Sequence, residues 1–221
     1  MRIVGLVTSV DFSDYLAVSM PRWIDGLDGL MVVTSHEDYR TNALCQGYGV
    51  RCLKTDDWHR DGAEFNKAAG LERGLQALKL ESADDWVLFL DADVVPPPGW
   101  RATLNRRQPQ VGSVYGASRQ DEQGRRIADA ELAGFFQLWH PLDPVVQDRP
   151  LLGSWRSAAG YDSAFLARWP QDRRVDTGIV LTHLGEPGVH WCGRGRSERV
   201  RAMLAERGVR NGWRHERLDG R

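Results

Sequence analysis

The sequence has little cysteine, no long apolar run and almost no net charge. Its three cysteines, Cys45, Cys52 and Cys192, lack the C-x-x-C spacing of zinc and thiol-redox sites. An odd number of cysteines without a disulfide pattern favours a reducing compartment. No apolar segment approaches the roughly 20 residues that span a bilayer, and a strand-like pattern begins at Arg2. We therefore expect a cytoplasmic protein with no secretory signal peptide and no membrane span.

Charge is balanced over the whole chain but not along it. Lysine and arginine total 29 against 30 acidic residues, a net charge of −1, which excludes a uniformly basic protein that coats nucleic acid. Residues 192–221 contain nine arginines and four acids. Such a segment is typical of a solvated helix face, and it also suits contact with phosphates, which leaves a nucleic-acid ligand open.

Apolar segments alternate with helical patterns along the chain, which predicts an α/β fold. Predicted strands cover residues 2–8, 30–34, 50–53, 86–90, 111–116 and 175–182, and predicted helices cover 15–20, 39–46, 63–78 and 160–170. Strands that alternate with helices pair in parallel through crossover connections. We expect one α/β domain with a mostly parallel central sheet flanked by helices. Pro21 is expected to break or reset the first helix.

The sequence is organised around residues 84–100, DDWVLFLDADVVPPPGW. Residues 86–90 are a short run of apolar β-formers, typical of a strand buried on both faces. The run ends at Asp91 and Asp93, whose side chains face the same way if the extended conformation continues through both. Three prolines at 96–98 then prevent further strand pairing.

Asp91 and Asp93 are predicted to share a ligand site. Open α/β sheets bind ligands beside the carboxyl ends of their strands, and the predicted strand ends near Thr8, Ser35 and Thr55 belong to that same edge. Two carboxylates in one space repel each other unless a cation lies nearby. Mg²⁺ and Mn²⁺ favour carboxylate and phosphate oxygens, so the pair predicts a metal-bound phosphorylated substrate. The alternative is two ordinary acids at a strand end.

The segment Asp91-Ala92-Asp93 resembles the D-x-D motif of glycosyltransferases with the GT-A fold, which use nucleotide-sugar donors. Two further segments resemble β-1,4-galactosyltransferases. Residues 65–68, FNKA, are similar to their F-N-R-A segment, with Lys67 in place of the arginine. Residues 160–168 are similar to their G-E-D-D-D-x-x-x-R segment, with Asp162 on the central acid, but this sequence has tyrosine, serine and alanine at 161, 163 and 164.

The resemblance to GT-A glycosyltransferases implies roles for these residues. The metal, Mn²⁺ or Mg²⁺, would be bound by Asp91, Asp93 and His183, with His190 as the second histidine candidate. The donor would be a nucleotide sugar, and the resemblance favours a UDP-sugar. It would be contacted by Thr8, Asp11, Lys67, Asp91 and Arg194. Asp162 would deprotonate the acceptor hydroxyl, which implies inversion of the anomeric centre. Alternatively, Asp162 caps the helix that begins beside it.

The same resemblance divides the domain into a donor-binding half, residues 1–110, and an acceptor-binding half, residues 111–221. The amphipathic pattern at 197–208 predicts a final helix. Glycans, small molecules, proteins and modified DNA all stay open as acceptors. Nucleotidyl transfer is a second interpretation of paired acids on an α/β sheet, but residues 8–13 lack the glycines of a phosphate-binding loop. A non-catalytic nucleotide- or glycan-binding protein with this fold is a third.

Overall fold

The computed structural model describes residues 1–78, 80, 82–127, 132–148, 150–186 and 193. The strands in this part of the chain are β1 Arg2–Thr8, β2 Gly29–Thr34, β3 Arg51–Lys54, β4 Asp85–Asp91, β5 Val94–Val95, β6 Val114–Gln120, β7 Phe136–Trp139 and β8 Arg174–His183. The α-helices are α1 Ser13–Ile24, α2 Tyr39–Gly47, α3 Lys67–Ala77, α4 Trp100–Arg106 and α5 Tyr161–Leu166. Short 3₁₀ segments cover Asp57–Gly62, Pro144–Val146 and Gln171–Arg173. Among these residues, no helix is long and apolar enough to cross a membrane.

The strands form one mixed sheet in the order β3-β2-β1-β4-β7-β6-β8-β5. β3, β2, β1 and β4 are mutually parallel, and β6 is parallel to β8. β7 runs antiparallel to both β4 and β6, and β5 runs antiparallel to β8. The predicted single α/β domain with a mostly parallel sheet flanked by helices is confirmed. The antiparallel strands β7 and β5 were not predicted.

The carboxyl ends of the parallel strands lie side by side. Thr8, the last residue of β1, is opposite Val33 of β2 and Asp91 of β4. Each crossover helix returns the chain to the edge where the strands begin, so successive parallel strands all end at the opposite edge. The ligand edge that the sequence predicted is therefore present, with Asp91 at its centre.

β4 is buried on both faces, as its uninterrupted apolar run predicts. Leu88 and Leu90 pack into a hydrophobic layer with α1, which we call the α1 layer. Val87 and Phe89 pack into a second layer with α3, the α3 layer. All four side chains are at most 1% exposed. The strand that carries Asp91 is thus held firmly from both sides.

α1 continues through Pro21, where the sequence predicted a break. Pro21 has no N–H to donate, so one carbonyl of the preceding turn loses its helical partner. The neighbouring Met20 and Trp23 are 0% and 2% exposed and belong to the α1 layer. Their packing outweighs the lost hydrogen bond.

Three other predicted boundaries differ from the structure. α3 begins at Lys67 rather than near residue 63, because the Asn66 side chain caps it by accepting a hydrogen bond from the Ala69 N–H at 3.1 Å. The strand predicted at 111–116 is β6, which starts only after a turn at Gly112 with φ of 91°. The helix predicted over 160–170 ends at Leu166.

Gly74 lets α3 approach the sheet closely. A Cβ at residue 74 would lie 2.4 Å from Leu6 Cδ1 and 3.0 Å from Val33 Cγ2. We expect Gly74→Ala to lower the free energy of unfolding by about 1–3 kcal/mol, as overpacking does in other cores. Gly47→Ala is the control, because no atom lies within 4 Å of its Cβ, and it should be neutral or slightly stabilising. Urea unfolding measures both variants, and equal stabilities would contradict the close packing.

Candidate functional site

A cavity of about 260 Å³ opens at the carboxyl ends of β1 and β4. Its lining includes six of the residues that the sequence singled out: Thr8, Lys67, Asp91, Asp93, Asp162 and His183. These residues are far apart in the chain, and the strand order of the sheet brings them together. Arg119, Phe135, Tyr161 and Glu186 also line the cavity; the sequence assigned them no role.

Asp91 and Asp93 reach the cavity through a turn. β4 ends at Asp91, and residues 92–93 form a turn before β5 begins. α1 holds this turn: the Ser19 hydroxyl donates to the Ala92 carbonyl at 2.7 Å, and Trp23 Nε1 donates to the Val94 carbonyl at 2.9 Å. The extended conformation therefore does not continue through both acids, although both line one cavity.

Asp91 forms a buried ion pair with Lys67. Lys67 Nζ contacts Asp91 Oδ1, and the two side chains are 11% and 26% exposed. Burial acts to raise the pKa of Asp91, but the attraction of Lys67 and its hydrogen bond lower that pKa overall. Burial acts to lower the pKa of Lys67, and Asp91 reverses that effect. Both groups are therefore charged.

Removing one partner of this pair leaves a buried charge uncompensated. We expect Lys67→Met to lower the free energy of unfolding by about 3 kcal/mol, the lower end for buried pairs because Asp91 is partly exposed. Adding Asp91→Asn should recover much of the loss. Lys54→Met, at the end of β3, is the control and should change stability by less than about 0.5 kcal/mol. If urea unfolding shows similar small losses for both lysine variants, the ion pair does not stabilise the fold.

Asp93 and His183 form a second pair. His183 is the last residue of β8 and is paired with Val94 of β5. His183 Nε2 lies 3.6 Å from Asp93 Oδ2, and His183 Nδ1 lies 3.3 Å from the Gly185 carbonyl oxygen. A carbonyl oxygen can only accept, so Nδ1–H is the donor of this contact. Nε2 faces Asp93 and is the ring nitrogen available to bind a metal ion.

The other oxygen of Asp93, Oδ1, is also buried. Among the described residues, none donates a hydrogen bond to Asp93 Oδ1. Burial raises the pKa of Asp93, and repulsion from Asp91 raises it further, against the weaker attraction of His183, Lys67 and Arg119. A buried carboxylate oxygen without a partner is costly, and a bound cation removes that cost.

The Asp93–His183 pair fits a divalent ion that a substrate helps to hold. Within the described ranges, no three histidine, cysteine or acidic side chains are grouped closely enough to bind an ion by themselves. Asp91, the third predicted ligand, contacts Lys67 instead. Mg²⁺ sites often use one or two carboxylates together with substrate phosphates. Two ligands on one octahedral ion lie about 3 Å apart, close to the 3.6 Å between Asp93 Oδ2 and His183 Nε2.

Asp162 lies in the cavity wall formed by α5. It is the second residue of that helix, and Gly160 is the N-cap, so Asp162 is not the cap residue. Its Oδ2 accepts a hydrogen bond from the Gly134 N–H at 3.0 Å, and its Oδ1 accepts one from the Ser163 N–H at 2.9 Å. A Cβ on Gly134 would lie 2.6 Å from Asp162 Cβ, so only glycine permits this contact. Two backbone donors therefore fix the carboxylate.

Asp11, another predicted site residue, lies apart from this cluster. Asp11 is exposed and is not part of the cavity lining; its backbone N–H donates to Asp38 Oδ2 at 2.8 Å, with φ of 62°. His190, Arg194 and the predicted helix at 197–208 lie outside the described residues.

Arg119 and Tyr161 were missed for different reasons. The sequence predicted that β6 ends at residue 116, three residues before Arg119, so this arginine had no assigned position. Tyr161 was noted only as a departure from a motif. In the structure Tyr161 is 2% exposed, and Lys67 Nζ lies 5.5 Å from the centre of its ring.

Solved structures share this fold, whereas no protein-family model and no curated protein matches the chain. Glucosyl-3-phosphoglycerate synthase from Mycobacterium tuberculosis, solved with phosphoglyceric acid, is 18% identical with a TM-score of 0.55, covering 96% of this chain and 81% of its own. The same enzyme solved with Mn²⁺, UDP and glucosyl-3-phosphoglycerate is 16% identical with a TM-score of 0.52, over 96% and 81%. A mycobacterial protein is 19% identical with a TM-score of 0.54, over 96% and 76%. At these identities the likeness shows the fold alone, and it confirms the GT-A fold.

Proposed function

We propose that this protein is a metal-dependent glycosyltransferase that moves a sugar from a nucleotide-sugar donor to an acceptor hydroxyl. The observation that carries the proposal is the environment of the two carboxylate oxygens of Asp93. Among the described residues its Oδ1 has no hydrogen-bond donor, while its Oδ2 faces His183 Nε2 at 3.6 Å. This arrangement suits a divalent cation at the edge where open α/β sheets bind nucleotides. Support comes from a glycosyltransferase of the same fold, solved with Mn²⁺ and UDP.

Asp93 and His183 would hold the Mn²⁺ or Mg²⁺ ion. Such an ion supplies positive charge that binds a diphosphate and stabilises the charge on a leaving nucleoside diphosphate. Thr8, Lys67 and Asp91 line the same cavity on the side of β1 and β4 and would contact the donor. A UDP-sugar is the favoured donor. Asp11, which is exposed, would contact the nucleotide outside the cavity, and Arg194 stays a predicted phosphate ligand.

Asp162 is the proposed catalytic base. As the acceptor oxygen bonds to the anomeric carbon, its proton passes to Asp162. The bond from the anomeric carbon to the donor phosphate oxygen breaks, and its electron pair stays on the phosphate. A single displacement of this kind inverts the anomeric centre. Asp162 lines the cavity and is held by two backbone N–H groups, which supports this role.

A thermal-shift screen of nucleoside diphosphates and nucleotide sugars tests the proposal. Each ligand is measured with Mn²⁺, with Mg²⁺ and with EDTA. We expect at least one nucleotide to raise the unfolding midpoint only when metal is present, because the described residues offer two of the ligands that the ion needs and the nucleotide would supply others. If no nucleotide stabilises the protein under any metal condition, the proposed function is wrong.

A further inference from the structure

Arg119 brings a positive charge into the cavity from β6. Arg119 lies opposite Leu181 of β8, two residues before His183. Its Cζ lies 4.6 Å from the centre of the Phe135 ring, and both residues line the cavity. The cation therefore stands next to the strand that supplies the histidine of the candidate metal site.

Phe135 holds the Arg119 guanidinium at the cavity wall. Phe135 is 3% exposed and belongs to the α1 layer, so the ring is held by the core. The Cζ atom of Arg119 lies over the face of this ring, and a cation in that position is attracted by the ring electrostatically. The contact places the charge of Arg119 beside the cavity, where its N–H groups can meet an anionic ligand.

The neighbours of Phe135 indicate which end of a donor Arg119 would meet. Gly134, the residue before Phe135, donates its N–H to Asp162 Oδ2 at 3.0 Å. Asp162 is the proposed base, so the acceptor hydroxyl lies toward this wall. The phosphate bonded to the sugar, the second phosphate of the nucleotide, then lies across the anomeric carbon from Asp162, on the side of β8 and His183, next to which Arg119 lies.

The charge of Arg119 also acts on the carboxylates of the site. Burial acts to raise the pKa of both carboxyls, and the positive charges of Lys67 and Arg119 act against this effect at each; the pKa of Asp91 is lowered overall and that of Asp93 is raised. Lys67 contacts Asp91 directly. A guanidinium fixed near the same acids stabilises negative charge that develops when the bond to the sugar breaks.

We propose that Arg119 binds the sugar-linked phosphate of the donor through its guanidinium fork. This inference rests on the proposed function, because it requires a diphosphate bound beside Asp93 and His183. Arginine pairs with phosphate through two parallel hydrogen bonds, which lysine does not form. Arg119 is thus a donor-binding residue that also favours departure of the nucleoside diphosphate.

Isothermal titration calorimetry with UDP and UMP in the presence of Mn²⁺ tests this assignment. UMP lacks the second phosphate, so the ratio of its Kd to that of UDP isolates the contribution of that phosphate. We expect Arg119→Gln to weaken UDP binding by about tenfold or more and to leave UMP binding unchanged. Arg119→Lys keeps the charge but loses the fork and should fall in between. Arg125→Gln, an exposed arginine that pairs with Asp121 outside the cavity lining, is the control and should match the wild type.

Each other outcome has a defined meaning. Equal UDP affinity in Arg119→Gln and wild type overturns the inference and leaves the proposed function intact. Equal weakening of UDP and UMP overturns the assignment to the second phosphate. Unchanged nucleotide binding with loss of sugar transfer assigns Arg119 to the acceptor and also overturns it. If the wild type binds none of UDP, ADP, GDP, CDP and TDP with Mn²⁺, the proposed function fails as well. The ligand-free unfolding midpoint of each variant verifies that it is folded.

Discussion

Asp93→Asn is expected to abolish metal-dependent nucleotide binding and to leave the ligand-free protein at least as stable as the wild type. Asparagine has nearly the shape of aspartate but lacks the charge that hard cations require. Loss of that charge also removes the repulsion from Asp91 and the cost of a buried oxygen that, among the described residues, has no donor. If Asp93 binds the metal, Asp93→Asn should abolish metal-dependent nucleotide binding while the stability of the ligand-free protein is kept or raised. If Asp93 only supports the fold, the substitution should lower that stability.

The size of the effect makes the test decisive. A nucleotide at one hundred times its Kd should stabilise the wild type by about 2.7 kcal/mol in the presence of Mn²⁺. Asp93→Asn should show none of this stabilisation. Asp172→Asn, at an 80% exposed acid outside the cavity lining, is the matched control and should keep all of it. Full metal-dependent stabilisation of Asp93→Asn would show that Asp93 does not hold the ion.

Asp162→Asn is expected to lower turnover by about 10²–10⁴-fold with little change in the Kd of the donor. The asparagine oxygen can still accept the hydrogen bond from the Gly134 N–H, and only the hydrogen bond from the adjacent Ser163 N–H is lost, so the cavity wall should keep its shape. What is lost is the ability to take a proton from the acceptor. Asp172→Asn again serves as the control. Turnover close to that of the wild type would exclude Asp162 as the base.

The same assay distinguishes inversion from retention. With water as the acceptor, an α-linked nucleotide sugar should release the β-anomer of the free sugar first, because one displacement inverts the anomeric centre. Proton NMR spectra recorded before mutarotation measure this directly. Initial release of the α-anomer would exclude the single displacement, even if Asp93 and His183 bind metal as proposed.

Much of the candidate site is predictable because its residues carry local signals. Asp91 follows an apolar strand, His183 ends another, and parallel strands with crossover helices must end at one edge of the sheet. Lys67 was placed in the first turns of a helix predicted from its apolar stripe, although the cap at Asn66 was not recognised. Such signals depend only on neighbouring residues and strand order, so they were readable without a structure.

Other features depend on contacts between distant segments, and the sequence could not provide them. Among the described residues between β6 and β7 there is no crossover helix. Nothing in the aromatic residues of β7 indicates that this strand pairs antiparallel with β4. The turn at residues 92–93 is set by hydrogen bonds from Ser19 and Trp23, about seventy positions earlier. Arg119 packs against the ring of Phe135, a contact that nothing in the sequence indicates. Tertiary contacts of this kind override the local pattern.

The most direct test of the account is metal-dependent hydrolysis of nucleotide sugars, measured as release of nucleoside diphosphate. It separates an enzyme from a protein that only binds nucleotides with the same fold. We expect the wild type to release nucleoside diphosphate from at least one nucleotide sugar with Mn²⁺, and to release none with EDTA or when Asp93→Asn replaces the wild type. Metal-dependent nucleotide binding without any release would contradict a transferase and favour a binding protein. Release that persists equally in EDTA and in Asp93→Asn would contradict the metal site itself.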